Sequence, residues 1–376
     1  MTQDERLALL ARQFADAPEF DTSPLYTALS ATVAETPALL RLAARGQAGQ
    51  YPTFLFFAAV QALLRGGADH ALALFYPPHY PPHHPGVNGD GPHRATEIDP
   101  QAGSALIDFA AQYEAELTRL IETRLVQTNI VKRSLALRIG LAAIGAELGT
   151  SGSGTAESGA PLHLIEVGAS AGIHLRFDKF GYRLGDQRFG PADSPVQISS
   201  VWHGRGPVPD LDAIPDVSTT TGIDLNPLDA TDPADRGWLE ALVFPENGHQ
   251  AALLSNALDI VAADPPVIHR GDAIDLCPKL AQQLPSGEPR VVFHAATRLH
   301  VPADRRDAFD AAINSLGQNA PLYVVCVERP PEPDPRPQPA RPGVAVTLRT
   351  PDGRSTDLAV AEGRLEWIEP LSDWAR

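Results

Sequence analysis

Residues 162–172, Leu-His-Leu-Ile-Glu-Val-Gly-Ala-Ser-Ala-Gly, join an apolar strand to a turn bracketed by two glycines. Glycine lets a ligand approach the backbone closely, and the N–H groups of a following helix can point at that ligand. We therefore predict a nucleotide-binding loop at the end of this strand. Its candidate ligand contacts are Glu166, Gly168, Ala169, Ser170 and Gly172.

The spacing of the glycines distinguishes two kinds of nucleotide loop. The dinucleotide pattern G-x-G-x-x-G does not fit, because Ser170 stands at its second glycine and Ile173 at its third. The pattern E-x-G-x-G-x-G of S-adenosylmethionine-dependent methyltransferases fits better, with Glu166, Gly168 and Gly172 in place and Ser170 at the middle glycine. A plain tight turn remains the alternative.

Strand-like and helix-like segments alternate after this loop. The strand candidates are 162–167, 219–224, 266–270, 290–296 and 321–327, and the helical patterns cover 236–263, 275–284 and 304–317. This alternation predicts an α/β, Rossmann-like fold, a mostly parallel sheet with helices on both faces. Segments 344–349 and 356–361 flank Pro351-Asp352-Gly353 and predict a C-terminal hairpin.

The chain before the loop has a helical pattern. Residues 54–64 follow Pro52, stop at Gly66 and are apolar nearly all round, which predicts a buried helix. Apolar residues recur at helical spacing from Ile130 to Leu148. We predict an all-helical domain at 1–149 that acts as a lid or substrate domain, a linker at 150–160, and a Rossmann-like S-adenosylmethionine-binding domain at 161–376. The proline-rich segments 77–94 and 329–342 are predicted loops.

Two acids stand at the predicted ends of later strands. Asp224, followed by Leu225, closes the second strand, where a carboxylate can accept hydrogen bonds from both ribose hydroxyls. Asp272, followed by Ala273, closes the next strand and is a candidate partner of an adenine amino group. The alternatives are a turn cap for Asp224 and a helix N-cap for Asp272.

A histidine lies at the end of the strand after these. His294 is a candidate general base, because ligands meet an open parallel sheet at the carboxyl ends of its strands. A histidine satisfied within the core is the alternative.

Composition bounds the partners and the compartment. The formal net charge is −16, and a protein that grips nucleic acid usually carries a basic face, so we expect a small-molecule substrate and no nucleic acid. Neither a signal peptide nor a membrane span is apparent, and the chain has only 2 cysteines. These features favour a cytoplasmic protein.

Two polar clusters allow more than one interpretation. The histidines at 79, 83, 84 and 93 lie among prolines without a matching acid or cysteine pattern, so a solvated loop is favoured and no metal site is predicted. Gln127, Asn129 and Arg133 stand at the head of an apolar helix. They are either a helix cap, with Thr128 or Asn129 accepting amide protons, or substrate-binding residues.

The sequence resembles the domain-of-unknown-function family 2332 over nearly its whole length. The residues that carry the resemblance are Gln127-Thr128-Asn129 with Arg133-Ser134, the loop 166–172, Gly222-Ile223-Asp224-Leu225-Asn226-Pro227, Arg270-Gly271-Asp272-Ala273 and Val292-Phe293-His294. That family in turn resembles class I S-adenosylmethionine-dependent methyltransferases in its Rossmann-like part. The resemblance implies S-adenosylmethionine as cofactor and S-adenosylhomocysteine as product. Ser170 and the long insertion 181–218 depart from the methyltransferase pattern.

Three functions are consistent with these residues. The first is methyl transfer to a small acceptor, with His294 removing the proton of the acceptor. The second is a serine hydrolase, because Gly168-Ala169-Ser170-Ala171-Gly172 also matches G-x-S-x-G, and Asp272 or Asp275 followed by His294 or His300 would complete a triad in chain order. The third is a protein that binds a nucleotide without catalysis. The oligomeric state is not predicted.

Overall fold

The computed structural model describes residues 2–77, 101–149, 161–329 and 343–371. The chain forms two compact units, Met1–Thr128 with Asp232–Ala252, and Asn129–Thr231 with Leu253–Arg376, called here the helical unit and the sheet unit. Residues 134–148, placed in the helical domain by the sequence prediction, fall in the sheet unit. The predicted linker 150–160 lies outside the described residues, as do the predicted loops apart from Pro77 and Arg329.

The helices begin and end at recognisable signals. Thr2 caps α1 in a capping box with Glu5, and Ser23 caps α2. Gly149 ends α7 in the left-handed conformation. The α-helices are α1 (Gln3–Ala15), α2 (Pro24–Glu35), α3 (Pro37–Ala43), α4 (Pro52–Arg65), α5 (Gln101–Gln112), α6 (Glu114–Thr123), α7 (Ser134–Leu148), α8 (Pro233–Ala241), α9 (Gly248–Ala263), α10 (Ala273–Gln283) and α11 (Arg306–Ser315).

The helical unit is built around α4. Its side chains at Leu55, Phe56 and Phe57 are fully buried, as the apolar run predicted. The ring of Phe57 stacks on Tyr26 at 4.5 Å, and Phe20 meets both rings edge-on. These aromatic pairs form a compact core for this unit.

The described residues of the sheet unit form an 11-stranded sheet in the order β3-β2-β4-β11-β10-β9-β8-β7-β1-β5-β6. Its strands are β1 (Leu162–Val167), β2 (Gly181–Leu184), β3 (Gln187–Phe189), β4 (Gln197–Trp202), β5 (Val217–Asp224), β6 (Val267–Arg270), β7 (Arg290–Ala295), β8 (Leu322–Glu328), β9 (Val344–Arg349), β10 (Ser355–Ala361) and β11 (Trp367–Pro370). Five neighbouring strands of this sheet, β8, β7, β1, β5 and β6, are parallel to one another. Strands β9 and β10 form the predicted hairpin.

Helices cover both faces of this sheet. On one face α10 and α11 bury Cys277, Leu280 and Phe309 against the inward-facing residues of β1, β7 and β8. On the other face α7 lies so close that a Cβ at Gly140 would be 2.5 Å from the side chain of Val325. The Rossmann-like prediction is therefore confirmed.

The strand order reverses beside β1. The chain runs outward from β1 to β5 and β6 on one side, and then returns to add β7 and β8 on the other side. In open α/β sheets, ligands bind outside the carboxyl ends of the strands at the point where the strand order reverses. Here that point lies between β1 and β7, where Glu166 is opposite Phe293.

The insertion 181–218 contributes β2, β3 and β4 to the sheet. Two local predictions were wrong. The helical pattern 236–263 is two helices, α8 and α9, because Pro245 interrupts it. The glycine loop is followed not by an α-helix but by a short 3-10 helix, Ile173–Lys179, with a non-helical Arg176.

Within the described ranges, no helix combines the length and the apolar character that crossing a membrane requires.

Candidate active site

The loop after β1 is a sharp turn held at the end of β5. Gly168, Ser170 and Gly172 have positive φ angles of 82°, 50° and 75°. The N–H groups of Gly168 and Ala169 both donate to the carbonyl of Ile223, at 2.8 and 3.2 Å. The glycines are also required by packing, because a Cβ at Gly168 would lie 2.4 Å from Oγ1 of Thr297, and one at Gly172 would lie 2.4 Å from Pro266.

Asp224 fastens this loop to the end of β5. Its Oδ2 accepts from the N–H of Ser170 and its Oδ1 accepts from the N–H of Asn226, both at 2.7 Å. The hydroxyl of Ser170 in turn accepts from Nδ2 of Asn129 at 2.9 Å. The structure thus brings Ser170, Asp224 and Asn129 together. Asp224 therefore acts as a turn cap.

Leu225 follows Asp224 directly and points its apolar side chain to solvent, with 69% of the residue exposed. An apolar surface beside a carboxylate at a strand end suits the base and the ribose of a nucleoside. Arg270, at the end of β6, donates to Oδ1 of Asn226 at 3.1 Å and so borders the same turn.

Asp272 is the N-cap of α10. Its Oδ1 accepts from the N–H of Ile274 at 2.9 Å, and its Oδ2 lies 3.0 Å from the guanidinium of Arg305. Ala273 is buried in the core of the sheet unit. The helix-cap interpretation therefore describes the contacts of Asp272, and a role toward adenine stays a prediction.

A buried acid–histidine pair lies beneath the glycine loop. Oε1 of Glu166 is 2.7 Å from Nδ1 of His174, and Nε2 of His174 is 3.2 Å from the carbonyl oxygen of Ile130. Because a carbonyl only accepts, Nε2 carries a hydrogen, and a second proton lies between Nδ1 and Glu166. Burial raises the pKa of Glu166, against the lowering effect of His174. Its other oxygen, Oε2, has no hydrogen-bond partner within the described ranges.

His294 is paired at the end of β7. Its Nδ1 lies 2.9 Å from Oε1 of Glu328, the last residue of β8. The same oxygen accepts from the N–H groups of Thr297 and Arg298, each at 3.1 Å. Oγ1 of Thr297 donates to the carbonyl of Val167 at 3.0 Å. This bond connects residues 294–298, called here the histidine turn, to the glycine loop.

Arg133 lies at the N-terminus of α7 with few partners. Its Nη2 is 3.5 Å from the carbonyl oxygen of Gly363, and its Nε is buried without a hydrogen-bond acceptor among the described residues. Burial lowers the pKa of Arg133 to about 10, although Glu328 and Glu362 oppose that shift. The helix begins at Ser134 without a side-chain cap, so the cap interpretation of Thr128 and Asn129 was wrong.

Gln127, the remaining predicted substrate residue, belongs to the helical unit, in the segment between α6 and the 3-10 helix Val131–Arg133. Its substrate-binding role stays a prediction.

Sequence reasoning missed His174, Thr297 and Glu328. Glu328 follows the predicted strand 321–327 by one residue, so the rule that identified Asp224 and Asp272 at strand ends would also have found it. His174 gave no such signal, because its pairing with Glu166 depends on the 3-10 turn that replaces the expected helix.

The arrangement separates two kinds of chemistry along the carboxyl ends of the strands. β1 and β5 present a glycine turn, a carboxylate and an apolar side chain, which suit a nucleoside. β7 and β8 present a histidine backed by a carboxylate, which suits proton transfer. Across the described ranges, no group of three or more His, Cys, Asp or Glu residues could hold a metal ion, and the histidines at 79–93 lie outside those ranges.

Comparison with known proteins adds a family but no activity. A search of the curated proteins finds no match. A solved structure described as "DhpI-SAM-HEP complex" is 14% identical, and the similarity covers 60% of this chain and 79% of that chain, with a TM-score of 0.20. A TM-score this low supports no conclusion about the fold or the function of this chain.

A family model described as "Uncharacterized protein conserved in bacteria (DUF2332)" matches residues 8–369. The match spans both units and includes the glycine loop, Asp224, Asp272 and His294. The resemblance stated from the sequence is confirmed, and the chain belongs to this family.

Proposed function

We propose that the sheet unit binds S-adenosylmethionine at the carboxyl ends of β1, β5 and β6, and that the protein transfers its methyl group to a small-molecule acceptor. The observation that carries the proposal is the turn shared by Ser170, Asp224 and Leu225. It places a carboxylate and an exposed apolar side chain beside the glycine loop of β1, a strand that borders the point where the strand order reverses.

The residues of this turn fit an adenosine moiety. Asp224 would offer a carboxylate to the ribose hydroxyls, and Leu225 would offer an apolar face to a base. When bound, the sulfonium would supply an activated methyl group. The protein would mainly hold the acceptor in line and exclude water, which are effects of position and not of strong acid–base catalysis.

Calorimetry with S-adenosylmethionine, S-adenosylhomocysteine, NAD and ATP tests the proposal. We expect the first two to bind, and Leu225→Ala to weaken them about tenfold, the scale of one buried leucine side chain. Val267→Ala is the matched control, because Val267 is 63% exposed but begins β6 at the opposite end of the strand. Binding of NAD or ATP alone would overturn the choice of cofactor, and equal losses in both variants would remove Leu225 from the site.

One observation favours a second function, serine hydrolysis. Ser170 has a φ of 50° in its G-x-S-x-G sequence, the kind of strained strand-to-helix turn on which a nucleophilic serine sits. Its hydroxyl, however, is hydrogen-bonded to Asn129, and no imidazole within the described ranges forms a hydrogen bond with it. We expect a fluorophosphonate probe to leave Ser170 unlabelled, and labelling there would defeat the methyltransferase proposal.

A further inference from the structure

Two side chains of the sheet unit, His294 and Arg133, have nitrogen atoms without a hydrogen-bond partner among the described residues. Nδ1 of His294 is held by Glu328, but Nε2 of His294 has no hydrogen-bond partner within the described ranges. Among the described residues, the guanidinium of Arg133 makes a single long hydrogen bond, to the carbonyl of Gly363, and no carboxylate lies within ion-pair distance of it. A largely buried guanidinium without an anion is costly, because little in its surroundings replaces the water it has lost.

From this pair of features we infer that Arg133, His294 and Glu328 form the acceptor half of the site, and that the methyl acceptor is a small anion bearing a hydroxyl or amine. The inference rests on the proposed function. Arg133 binds the anionic group, Nε2 of His294 takes the proton of the acceptor, and Glu328 is a positioning residue that orients His294.

The hydrogen bonds of Glu328 determine which nitrogen of His294 is the base. Oε1 of Glu328 accepts two backbone N–H groups, which can only donate, so it serves as an acceptor toward Nδ1 as well. Nδ1 therefore carries a hydrogen, and Nε2 carries the lone pair of the neutral ring. The carboxylate also stabilises the imidazolium that forms when Nε2 takes a proton.

The nearby carboxylates do not neutralise Arg133 by direct contact. Glu328 is occupied by His294 and two backbone groups, and Glu362 accepts from the N–H groups of Arg364 and Glu366. Arg133 bonds to Gly363 just after β10, and β10 ends on the same side of the sheet as β8, because Ala345 of β9 is opposite both Glu328 and Val360. A planar guanidinium suits a carboxylate or a phosphoryl group equally.

The reaction balances without a further reactant. The acceptor oxygen or nitrogen forms a bond to the methyl carbon while the carbon–sulfur bond breaks, and that electron pair stays on the sulfur of S-adenosylhomocysteine. The acceptor proton passes to Nε2 of His294 and then to water. Thr297 joins the two halves of the site, since it contacts Glu328 through its N–H and Val167 through its hydroxyl.

NMR of the full-length chain tests the anion site without turnover. Long-range proton–nitrogen spectra, assigned with His294→Gln, follow the ring of His294 while sodium acetate or inorganic phosphate is added. We expect saturable shifts with at least one of the two anions, and the stronger binder identifies a carboxylate or a phosphoryl acceptor. Arg133→Gln should weaken that binding by at least about tenfold, the scale of a charged hydrogen bond.

Two further variants show whether weaker anion binding in Arg133→Gln reflects the lost guanidinium or a loss of folding. Arg133→Lys keeps the charge without the planar fork and should bind the anion with intermediate affinity. Arg354→Gln removes an exposed arginine paired with Glu147 and should bind as the wild type does. Shifts that are absent, or equal in Arg133→Gln and wild type, would overturn the anion site.

The same spectra test Glu328. Neutral His294 should carry its hydrogen on Nδ1 in the wild type and in Glu328→Gln, whose amide oxygen still accepts, but not in Glu328→Ala. A hydrogen on Nε2 in the wild type would overturn the assigned base. Calorimetry with S-adenosylmethionine on these variants separates the two proposals, because failure of cofactor binding in the wild type leaves the anion titration unaffected.

Discussion

Ser170 and Ala296 have positive φ angles of 50° and 54°, in the loops that follow β1 and β7. Such backbone is unfavourable for residues with a Cβ, and it persists only where surrounding contacts enforce it. For Ser170 those contacts are Asp224 and Asn129, and for Ala296 the N–H donates to the carbonyl of Val327 at 2.9 Å. Both residues flank the point where the strand order reverses, where strained backbone accompanies binding sites.

Replacement of Ser170 separates its backbone strain from its hydroxyl. Ser170→Ala and Ser170→Gly both lose the hydrogen bond from Asn129, but only glycine relieves the positive φ. We expect Ser170→Gly to be more stable than Ser170→Ala by about 1 kcal/mol in urea unfolding. An alanine variant as stable as the glycine variant would show that the turn is not strained.

Gly168 and Gly353 form a matched pair at the residue scale. Their φ angles are 82° and 85°, but a Cβ at Gly168 would meet Thr297, whereas nothing lies within 4 Å of one at Gly353. Gly353→Ala should cost about 1 kcal/mol from conformation alone, and Gly168→Ala about 1–3 kcal/mol more from overpacking. Denaturant melts compare them, and Thr297→Ala should recover part of the extra loss. Equal costs would contradict the close packing of the two loops.

At the scale of the element, α10 depends on its cap. Asp272 accepts from the N–H of Ile274 and also faces Arg305. Its helix buries Cys277 and Leu280 against the sheet, so a loosened first turn would be transmitted to the core.

Substitution of Asp272 distinguishes the cap from the ion pair. Asp272→Asn keeps an N-cap oxygen and loses only a partly exposed charge, so we expect its stability to change by less than about 0.5 kcal/mol. Asp272→Ala should cost about 1 kcal/mol, because the cap is lost. Thermal or urea unfolding measures both, and an asparagine variant as unstable as alanine would make the contact with Arg305 dominant.

At the scale of the whole molecule, the buried pair of Glu166 and His174 links folding stability to pH. The pKa of Glu166 is raised by burial, so the folded protein keeps this proton where the unfolded chain has lost it. The stability that comes from this carboxyl is complete below its ordinary pKa of 4.5, and it decreases as the pH rises through the folded pKa.

Glu166→Gln removes this dependence while keeping a hydrogen-bonding side chain beside His174. We expect the free energy of unfolding of the wild type, relative to that of Glu166→Gln, to fall as the pH rises above 4.5, by at most about 1.4 kcal/mol per pH unit. Urea melts at each pH measure the difference. Glu116→Gln, an exposed acid in α6, is the control and should show no such trend. A difference that grows with pH would contradict the buried, proton-holding state of Glu166.

The amino-acid sequence by itself determined the features that rest on local pattern. Apolar runs located β1, β5, β7 and β8, and proline and glycine located α4, because strand and helix periods and their end signals are properties of neighbouring residues. The same local rules placed Asp224 and His294 at strand ends, and Asp272 just beyond β6, where it caps α10.

Only the tertiary structure decided which of these residues meet. The strand order, the contribution of β2–β4 to the sheet, the bond from Asn129 to Ser170 and the pairs Glu166–His174 and His294–Glu328 all join residues distant in sequence. Asn129, a candidate helix cap by local pattern, instead donates to a serine 41 residues away. The physical reason is that a buried polar group must find a partner wherever packing brings one, and packing is a property of the folded chain.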